Sequence, residues 1–330
     1  MLKSLDILEK DFKMVTMRIT KRTYLISAVV ALSVIIPLVY HHKKTNTQVK
    51  GIKTELAQVN LTKLKQIQNQ KYHPIISQGA GNESSLSVSA KSAIVVDNST
   101  GNVLFEKDIS TKRPPASIAK ILTAIVATET MDLNKRLKVS ESAANMEPNK
   151  VYLGAGEEIR LEDLLICLMT ASANDAAEVI AENFPGGRSA FIDKLNEKII
   201  DLGLTNTHYK NPSGLDEDGF YTSALDMATI VRYAIDKTPD VIRYAGIREY
   251  TVPGTEDLNY EHYTAHISDL LKSYPYMIAS KPGFTYNAGH TLIGIAQRNN
   301  KKIVMIYLDS NDGMNDGTNL FEYGFSKLGV

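Results

Sequence analysis

The chain of 330 residues carries 37 basic and 37 acidic side chains, so its formal net charge is zero. This balance gives no electrostatic reason to expect a nucleic-acid partner. With 43% hydrophobic and 22% charged residues, the composition is typical of a globular protein and excludes a wholly disordered chain. The single cysteine, Cys167, excludes an intrachain disulfide, and its apolar neighbours indicate a buried thiol, not a catalytic one.

Residues 24–40 form the first recognisable element, a run of seventeen residues without a charged side chain. As a helix this run would measure about 25 Å, just long enough to cross the hydrocarbon core of a membrane. No small-x-small cleavage pattern follows it, which favours a retained transmembrane anchor over a removed signal peptide. Basic residues flank the run on both sides in similar numbers, so the positive-inside rule only slightly favours residues 1–23 as a cytoplasmic N-terminus.

The next stretch, residues 41–87, is polar and rich in Lys, Gln, Asn, Thr and Ser, which is typical of a linker or stalk. Ile52, Leu56 and Val59 have roughly helical spacing, which allows a helix within it. We therefore predict that the folded body occupies residues 88–330 as one domain.

Strand patterns occur at both ends of this body, and helical periodicity dominates its middle from residue 117 to about residue 236. A turn cluster between the first two strand-like runs predicts a hairpin. The predicted strands are residues 93–97, 103–106, 249–252, 291–296 and 302–308, and a closing helix is predicted over residues 320–328. The pattern indicates an α+β fold, with an antiparallel sheet built from both ends of the domain and a helical region inserted between them.

The string Ser117-Ile-Ala-Lys120 opens the helical region. On a helix, a spacing of three residues places both side chains on one face, and the helix dipole near the N-terminus favours a developing alkoxide on the serine. Lys120 could take the proton of Ser117 if burial and a second cation lower its pKa. Alone, the string is more often a helix cap followed by a solvated lysine.

Two further strings supply the remaining parts of a serine acyl-transfer site. Ser172-Ala-Asn174 lies between two predicted helices, where Ser172 could relay a proton and Asn174 could hold a substrate amide. Lys281-Pro-Gly283 offers a cation for a substrate carboxylate and a glycine that lets a ligand approach the backbone. Alone, the first is more often a helix cap and the second a surface turn.

In this order the three strings resemble those of the serine-type D-alanyl-D-alanine carboxypeptidases, the low-molecular-weight penicillin-binding proteins. The resemblance extends from about Ser92 to Val330, roughly three quarters of the chain. It is carried by residues 97–106, 113–123, 162–165, 171–177, 202–204, 207–208, 211–215, 221–228 and 281–289. It implies a β-lactamase-like fold, and it places the catalytic domain outside the bacterial cell membrane, beyond the single anchor.

The resemblance also implies a role for each matching residue. Ser117 resembles the acylated nucleophile, Lys120 its general base, and Ser172 with Asn174 the second catalytic element. The implied substrate is the peptidoglycan stem pentapeptide ending in D-Ala-D-Ala, from which the last residue is removed. β-Lactams are the implied covalent inhibitors, and the resemblance implies neither a metal nor an organic cofactor.

The substrate-binding side of the site is implied on the third string and the residues after it. Lys281 resembles the cation that faces the terminal carboxylate, and Gly283 and Thr285 lie beside it. The oxyanion hole would use the backbone N–H groups of Ser117 and Phe284.

One departure from the family pattern falls on position 282, where proline replaces the usual threonine. The lost hydroxyl is expected to cost about 1–2 kcal/mol of carboxylate binding, and Thr285 is the replacement that we expect. In a strand, the missing N–H of Pro282 would point the same way as that of Phe284, into the cleft and not into the sheet, so the proline is compatible with the fold.

Several alternatives remain beside the carboxypeptidase. The same residues would serve a DD-endopeptidase that cuts peptidoglycan cross-links, and Pro282 allows a penicillin-binding scaffold with weak turnover. A β-lactamase is disfavoured because no Glu-x-x-x-Asn element lies between the second and third strings. His262 and His266 are four residues apart, but no third ligand pattern follows them, so we predict no metal site.

Overall fold

The structure is a computed structural model that describes residues 47–76, 86–254 and 260–330. The predicted anchor at residues 24–40 and the N-terminal residues 1–23 lie outside these ranges. Among the helices that are described, none is both long and apolar enough to cross a membrane. The chain divides into two compact units, residues 1–59 and 60–330, and of the first only the beginning of one helix is described.

In chain order the helices are α1 (Thr47–Asn69), α2 (Lys120–Thr130), α3 (Glu141–Ala144), α4 (Leu161–Thr170), α5 (Asn174–Glu182), α6 (Gly187–Asp201), α7 (Ala224–Lys237), α8 (Pro239–Tyr244), α9 (Asp269–Ser273) and α10 (Gly313–Lys327). The strands are β1 (Ser92–Asp97), β2 (Val103–Lys107), β3 (Arg136–Lys138), β4 (Glu158–Arg160), β5 (Glu249–Val252), β6 (His262–Ala265), β7 (Met277–Thr285), β8 (Gly289–Arg298) and β9 (Lys301–Ser310). Short 3₁₀ turns occupy Gln70–Tyr72 and Ala116–Ala119.

The main sheet has the strand order β2-β1-β9-β8-β7, and all of its pairs are antiparallel. Strands β1 and β9 come from opposite ends of the domain and pair over the full length of β1. The predicted α+β fold, with an antiparallel sheet built from both ends, is therefore confirmed. The predicted strand at 249–252 forms, but it pairs with β6 in a separate two-stranded sheet.

Both faces of the sheet are covered, which explains why residues 93–96 of β1 are all apolar. Ile94 and Val96 lie in the larger core, with the helices of the inserted region. Ala93 and Val95 lie in the smaller core, where Phe321 of α10 packs. Because successive strand residues point to opposite faces, the middle of a strand between two cores is hydrophobic at successive positions and not only at alternate ones.

Two predictions at the level of single elements need comment. Cys167 lies fully buried in α4, and burial raises the pKa of its thiol, as expected for a structural cysteine. The closing helix α10 begins at Gly313, earlier than predicted, because the Asp312 side chain caps it by accepting a hydrogen bond from the Asn315 N–H. The first turns of α10 are polar and contain glycine, so apolar periodicity does not show where this helix begins.

The predicted linker ends earlier than the sequence suggested, because residues 60–76 belong to the folded unit. Lys65 forms an ion pair of 2.6 Å with Asp201, and the Tyr72 side chain is only 4% exposed. Arg232 donates to the backbone oxygen of Tyr72 at 2.7 Å. The predicted domain boundary at residue 88 is therefore corrected to residue 60. One buried tyrosine and a few ion pairs attach this segment to the folded unit, although its composition is polar on average.

Candidate active site

Ser117 lies in the 3₁₀ turn Ala116–Ala119, immediately before α2. This turn packs tightly against Gly214, where an added Cβ would lie 2.0 Å from the Ala116 backbone oxygen. Gly214 also has a φ of +86°, so both space and backbone conformation require glycine at this position. The close approach leaves Ser117 partly exposed at the surface of the cleft, while the residues on both sides of it are buried.

Lys120 is the first residue of α2 and is fully buried. Its Nζ lies 2.9 Å from the Ser117 Oγ, and it donates to the Asn174 Oδ1 at 2.7 Å and to the backbone oxygen of Ser213. Burial, and then the positive charge of Lys281, hold the pKa of Lys120 well below its usual value. The site therefore favours the neutral amine, the form that can accept a proton.

The partners of Lys120 also orient its lone pair. The carbonyl oxygens of Asn174 and Ser213 can only accept hydrogen bonds, so the two N–H groups of a neutral amine point toward them. The Asn174 Oδ1 is fixed in this role because its Nδ2 donates to the Glu147 backbone oxygen at 2.9 Å. The remaining lone pair then points at the Ser117 hydroxyl, the one partner that can donate.

Ser172 and Asn174 lie at the junction of α4 and α5, as the second string predicts for an inter-helix turn. Both side chains are buried, and Ser172 has a φ of 61°, in the left-handed region. Asn174 begins α5, and its backbone N–H donates to the Asn149 oxygen at 2.7 Å. The turn thus presents a hydroxyl and a carboxamide side by side in the interior of the cleft.

Lys281 lies on the edge strand β7 and is fully buried. Its Nζ donates to the Ser172 Oγ and to the Pro282 oxygen, both at 2.8 Å. Burial lowers the pKa of Lys281 to about 7. Two residues on, β7 passes directly beside the nucleophile, because a Cβ added to Gly283 would lie 2.7 Å from the Ser117 backbone nitrogen.

Strand β7 tolerates Pro282 because of its place at the sheet edge. The Ser280 N–H donates to the Ala245 oxygen at 3.0 Å, outside the sheet. Since N–H groups two residues apart in a strand point the same way, the N–H that Pro282 lacks would also face the open edge. The Phe284 N–H faces that edge as well, one residue beyond the point of contact with Ser117.

Thr285 is placed differently from the other predicted residues. Its hydroxyl donates to the Asp216 Oδ1 at 2.8 Å and accepts from the Ala288 N–H at 3.1 Å. Asp216 lines a cavity of about 400 Å³ that begins at Pro115 and Gly214, beside the nucleophile. The Thr285 hydroxyl proton is therefore engaged by a residue that lines this cavity and not by a group beside Lys281.

The predicted site residues thus form a network of two separate hydrogen-bonded groups, with one outlier. A chain of hydrogen bonds joins Asn174, Lys120 and Ser117, and a second joins Lys281 and Ser172. Gly283 and Phe284 follow Lys281 on the strand that passes the nucleophile. Thr285 is hydrogen-bonded outside this network.

Sequence reasoning missed the carbonyl that contacts Lys120. Asn211 accepts hydrogen bonds from the backbone N–H groups of Ser213 and Gly214, at 3.2 and 2.8 Å, and so turns the Ser213 oxygen toward Lys120. The Asn-Pro-Ser-Gly pattern signals a turn. No sequence signal says that a backbone carbonyl from that turn is aimed at a lysine.

His262 and His266 are both buried and hydrogen-bonded to protein atoms. The Nε2 of His266 lies 3.1 Å from the oxygens of Ala245 and Ser280. Burial, and then the charge of Lys281, lower the pKa of His266 to about 4, so this imidazole is neutral near pH 7. It helps to hold β7 at the residue before Lys281.

Comparison with known proteins relates this geometry to a family. The chain is 31% identical to the D-alanyl-D-alanine carboxypeptidase DacF of Bacillus subtilis over 258 residues, 74% of this chain and 64% of that protein. It is 32% identical to DacB2 of Mycobacterium tuberculosis over 245 residues, 72% of this chain and 82% of that protein. It is also 31% identical to a D-alanyl-D-alanine endopeptidase of Pseudomonas aeruginosa, covering 66% of this chain and 71% of that protein.

The fold agrees with these relationships. The crystal structure of a D-alanyl-D-alanine carboxypeptidase from Mycobacterium tuberculosis superposes with a TM-score of 0.68 at 30% identity, covering 74% of this chain and 95% of that one. A sequence profile of the family described as D-alanyl-D-alanine carboxypeptidase matches residues 79–312. The resemblance seen in the three strings is therefore confirmed, and the chain belongs to the D-alanyl-D-alanine carboxypeptidase family of serine peptidases.

Proposed function

We propose that this protein is a membrane-anchored serine DD-carboxypeptidase that removes the terminal D-Ala from peptidoglycan stem pentapeptides through an acyl-enzyme on Ser117. The observation that carries the proposal is the buried Lys120 amine, which lies 2.9 Å from the Ser117 Oγ and has a strongly lowered pKa. A serine is a weak nucleophile until a base takes its proton, and this amine is placed to do so.

In acylation, the Ser117 Oγ attacks the carbonyl carbon of the penultimate D-Ala as its proton moves to the Lys120 Nζ. The oxyanion that forms is stabilised by the backbone N–H groups of Ser117 and Phe284. The C–N bond then breaks as Lys120 gives up its proton, by way of the Ser172 hydroxyl, to the departing D-Ala nitrogen. In deacylation, Lys120 accepts a proton from water, whose oxygen attacks the ester carbonyl, and returns it to the Ser117 Oγ as the C–O bond of the ester breaks.

Lys281 has two tasks in this scheme. Its ammonium faces the carboxylate of the leaving D-Ala, and its charge adds to the effect of burial in lowering the pKa of Lys120. The Thr285 hydroxyl is occupied by Asp216, so the loss of a hydroxyl at Pro282 is not offset by Thr285. Carboxylate binding therefore depends more on Lys281 alone than it does in relatives with threonine at position 282.

A DD-endopeptidase is the second candidate. It is favoured by the similarity to the Pseudomonas aeruginosa protein that carries that name, and the same residues would perform both reactions. The cross-linked substrate differs only in what is attached to the leaving group. A scaffold with weak turnover is the third candidate, and it is favoured by Pro282.

The proposal also includes the predicted location. Residues 24–40 would form a single membrane anchor, residues 1–23 the cytoplasmic N-terminus, and the catalytic domain would lie on the extracytoplasmic side of a bacterial membrane. The support is the uncharged run itself and the extracytoplasmic position of peptidoglycan. Protease added to intact spheroplasts should degrade the catalytic domain while leaving a cytoplasmic marker intact.

The activity is tested with the purified full-length chain in detergent micelles. We expect release of D-Ala from a stem pentapeptide and a fluorescent-penicillin adduct that survives denaturing electrophoresis. Ser117→Ala should abolish both, and Ser142→Ala, at an ordinary helical serine of α3, should abolish neither. Cleavage of a cross-linked dimer at a higher rate than the pentapeptide would favour the endopeptidase, and labelling without release of D-Ala would favour the scaffold.

A further inference from the structure

Tyr152 is an exposed aromatic residue with an unusual backbone conformation. Its side chain is 72% exposed, whereas those of its neighbours Val151 and Leu153 are 8% and 2% exposed. Its φ is 61°, in the left-handed region, which is costly for a bulky side chain and is found where the surroundings enforce it. The Lys150 Nζ lies 5.4 Å from the centre of its ring, and most of the side chain remains in contact with water.

Buried polar groups hold both neighbours of Tyr152 in place. The Asp175 carboxylate accepts hydrogen bonds from the backbone N–H groups of Val151 and Leu153, both at 3.1 Å to Oδ2. The His262 Nδ1 lies 3.1 Å from the Val151 oxygen. These contacts hold Val151 and Leu153 in the interior, and the Tyr152 side chain between them points outward.

A second contact fixes the far end of the same loop. The Glu157 Oε2 accepts from the Gly154 N–H at 3.0 Å and lies 2.9 Å from the His262 Nε2. Glu157 and His262 are both buried. The Val151 carbonyl and the Glu157 carboxylate only accept hydrogen bonds, so both ring nitrogens of His262 lie beside acceptors.

The loop that carries Tyr152 is also bonded to the catalytic network. The Asn149 oxygen accepts from the Asn174 N–H, and the Glu147 oxygen accepts from the Asn174 Nδ2. Asn174 in turn holds Lys120. Tyr152 lies three residues beyond Asn149 on this loop, and its side chain is exposed to solvent. Lys281, which we assign to the leaving-group carboxylate, contacts Ser172 and not Asn174.

We propose that Tyr152 is a specificity-determining residue whose ring packs against the apolar part of the acyl group that is transferred to Ser117. The inference rests on the proposed function, because it needs Ser117 to be acylated. A tyrosine on a rigid loop can pack against a flat or apolar group of a ligand at a low cost in conformational entropy, because its ring is already held in position.

The test compares two penicillins that differ only on the acyl side. Benzylpenicillin carries a phenylacetyl group, and 6-aminopenicillanic acid has a bare amine there. For Tyr152→Ala in the full-length chain, we expect the second-order acylation rate constant to fall about tenfold with benzylpenicillin and less than twofold with 6-aminopenicillanic acid. Tyr152→Phe keeps the ring and is the matched control, with both rate constants close to those of the unsubstituted chain.

Stability separates this role from a structural one. Tyr152→Gly removes the ring together with the cost of the left-handed conformation, so its Tm should be equal to or above that of the unsubstituted chain while benzylpenicillin acylation falls. A lower Tm with unchanged acylation would show that the ring serves the fold and would overturn the inference. Equal losses with both penicillins, or no loss with either, would also overturn it. Absence of any Ser117 adduct in the unsubstituted chain would refute the proposed function itself.

Discussion

Gly283→Ala tests whether the distance between β7 and the nucleophile controls acylation. The added Cβ would lie 2.7 Å from the Ser117 nitrogen and 2.6 Å from the Thr291 Oγ1, and also 3.1 Å from the Ala116 Cβ. Ordinary contacts of a Cβ begin near 3.4 Å, so β7 or the Ser117 turn must move by several tenths of an ångström. The Ser117 nitrogen is a backbone atom, which cannot rotate out of the way as a side chain can.

The movement has two measurable consequences. Overpacking of this kind costs about 1–3 kcal/mol of stability, which lowers Tm by several degrees. The same shift separates the Phe284 N–H from the Ser117 N–H, and a displacement of about 1 Å at a reacting centre costs about a hundredfold in rate. For a shift of several tenths of an ångström we expect the acylation rate constant with a fluorescent penicillin to fall about tenfold.

Gly324→Ala is the matched control for the loss of stability. Its Cβ would lie 2.8 Å from the Val95 Cγ1 and 3.0 Å from the Ile303 Cδ1, a similar overlap within the smaller core. This variant should lose stability and keep its acylation rate constant. If Gly283→Ala lowers Tm but acylates as fast as the unsubstituted chain, the contact between β7 and Ser117 does not set the geometry of the oxyanion hole.

Three further predictions concern Pro282, the two buried lysines and Tyr72. Pro282→Thr restores a hydroxyl next to Lys281 and should raise kcat/KM for D-Ala release about tenfold, mainly by lowering KM. An unchanged kcat/KM in steady-state kinetics would show that the missing hydroxyl does not limit substrate binding. The pH profile should be bell-shaped: the rate rises as Lys120, whose pKa is lowered, loses its proton, and carboxylate binding weakens above about pH 7 as Lys281 loses its own. A rate that keeps rising well above pH 7, in initial-rate measurements across the pH range, would contradict the role of Lys281. Tyr72→Ala should cost about 3 kcal/mol in chemical denaturation, because the buried ring packs edge-on against Tyr233 at 5.2 Å; a loss below 1 kcal/mol would place residues 60–76 outside the cooperative unit.

Local sequence patterns were enough to predict much of the architecture. Periodicity and turn residues, which depend only on neighbours along the chain, predict the hairpin of β1 and β2, the apolar α4 and the late strands β8 and β9. Strand β7 was harder to predict as a strand, because Pro282 and Gly283 interrupt it and are tolerated only at a sheet edge. The sequence does not reveal that residues 60–76 belong to the folded unit, because Lys65 and Tyr72 find their partners more than a hundred residues away.

The sequence by itself determined the chemical parts of the candidate site: a hydroxyl and an amine one helical turn apart, a second hydroxyl with a carboxamide, and a distant cation beside a glycine. Tertiary structure decided everything that depends on distance and on exclusion of water. It made Lys120 a weak base by burying it, aimed the Ser213 carbonyl at it, and turned the Thr285 hydroxyl to Asp216. A pKa or a lone-pair direction depends on which atoms surround a group, and residues far apart in the chain supply those atoms only after folding.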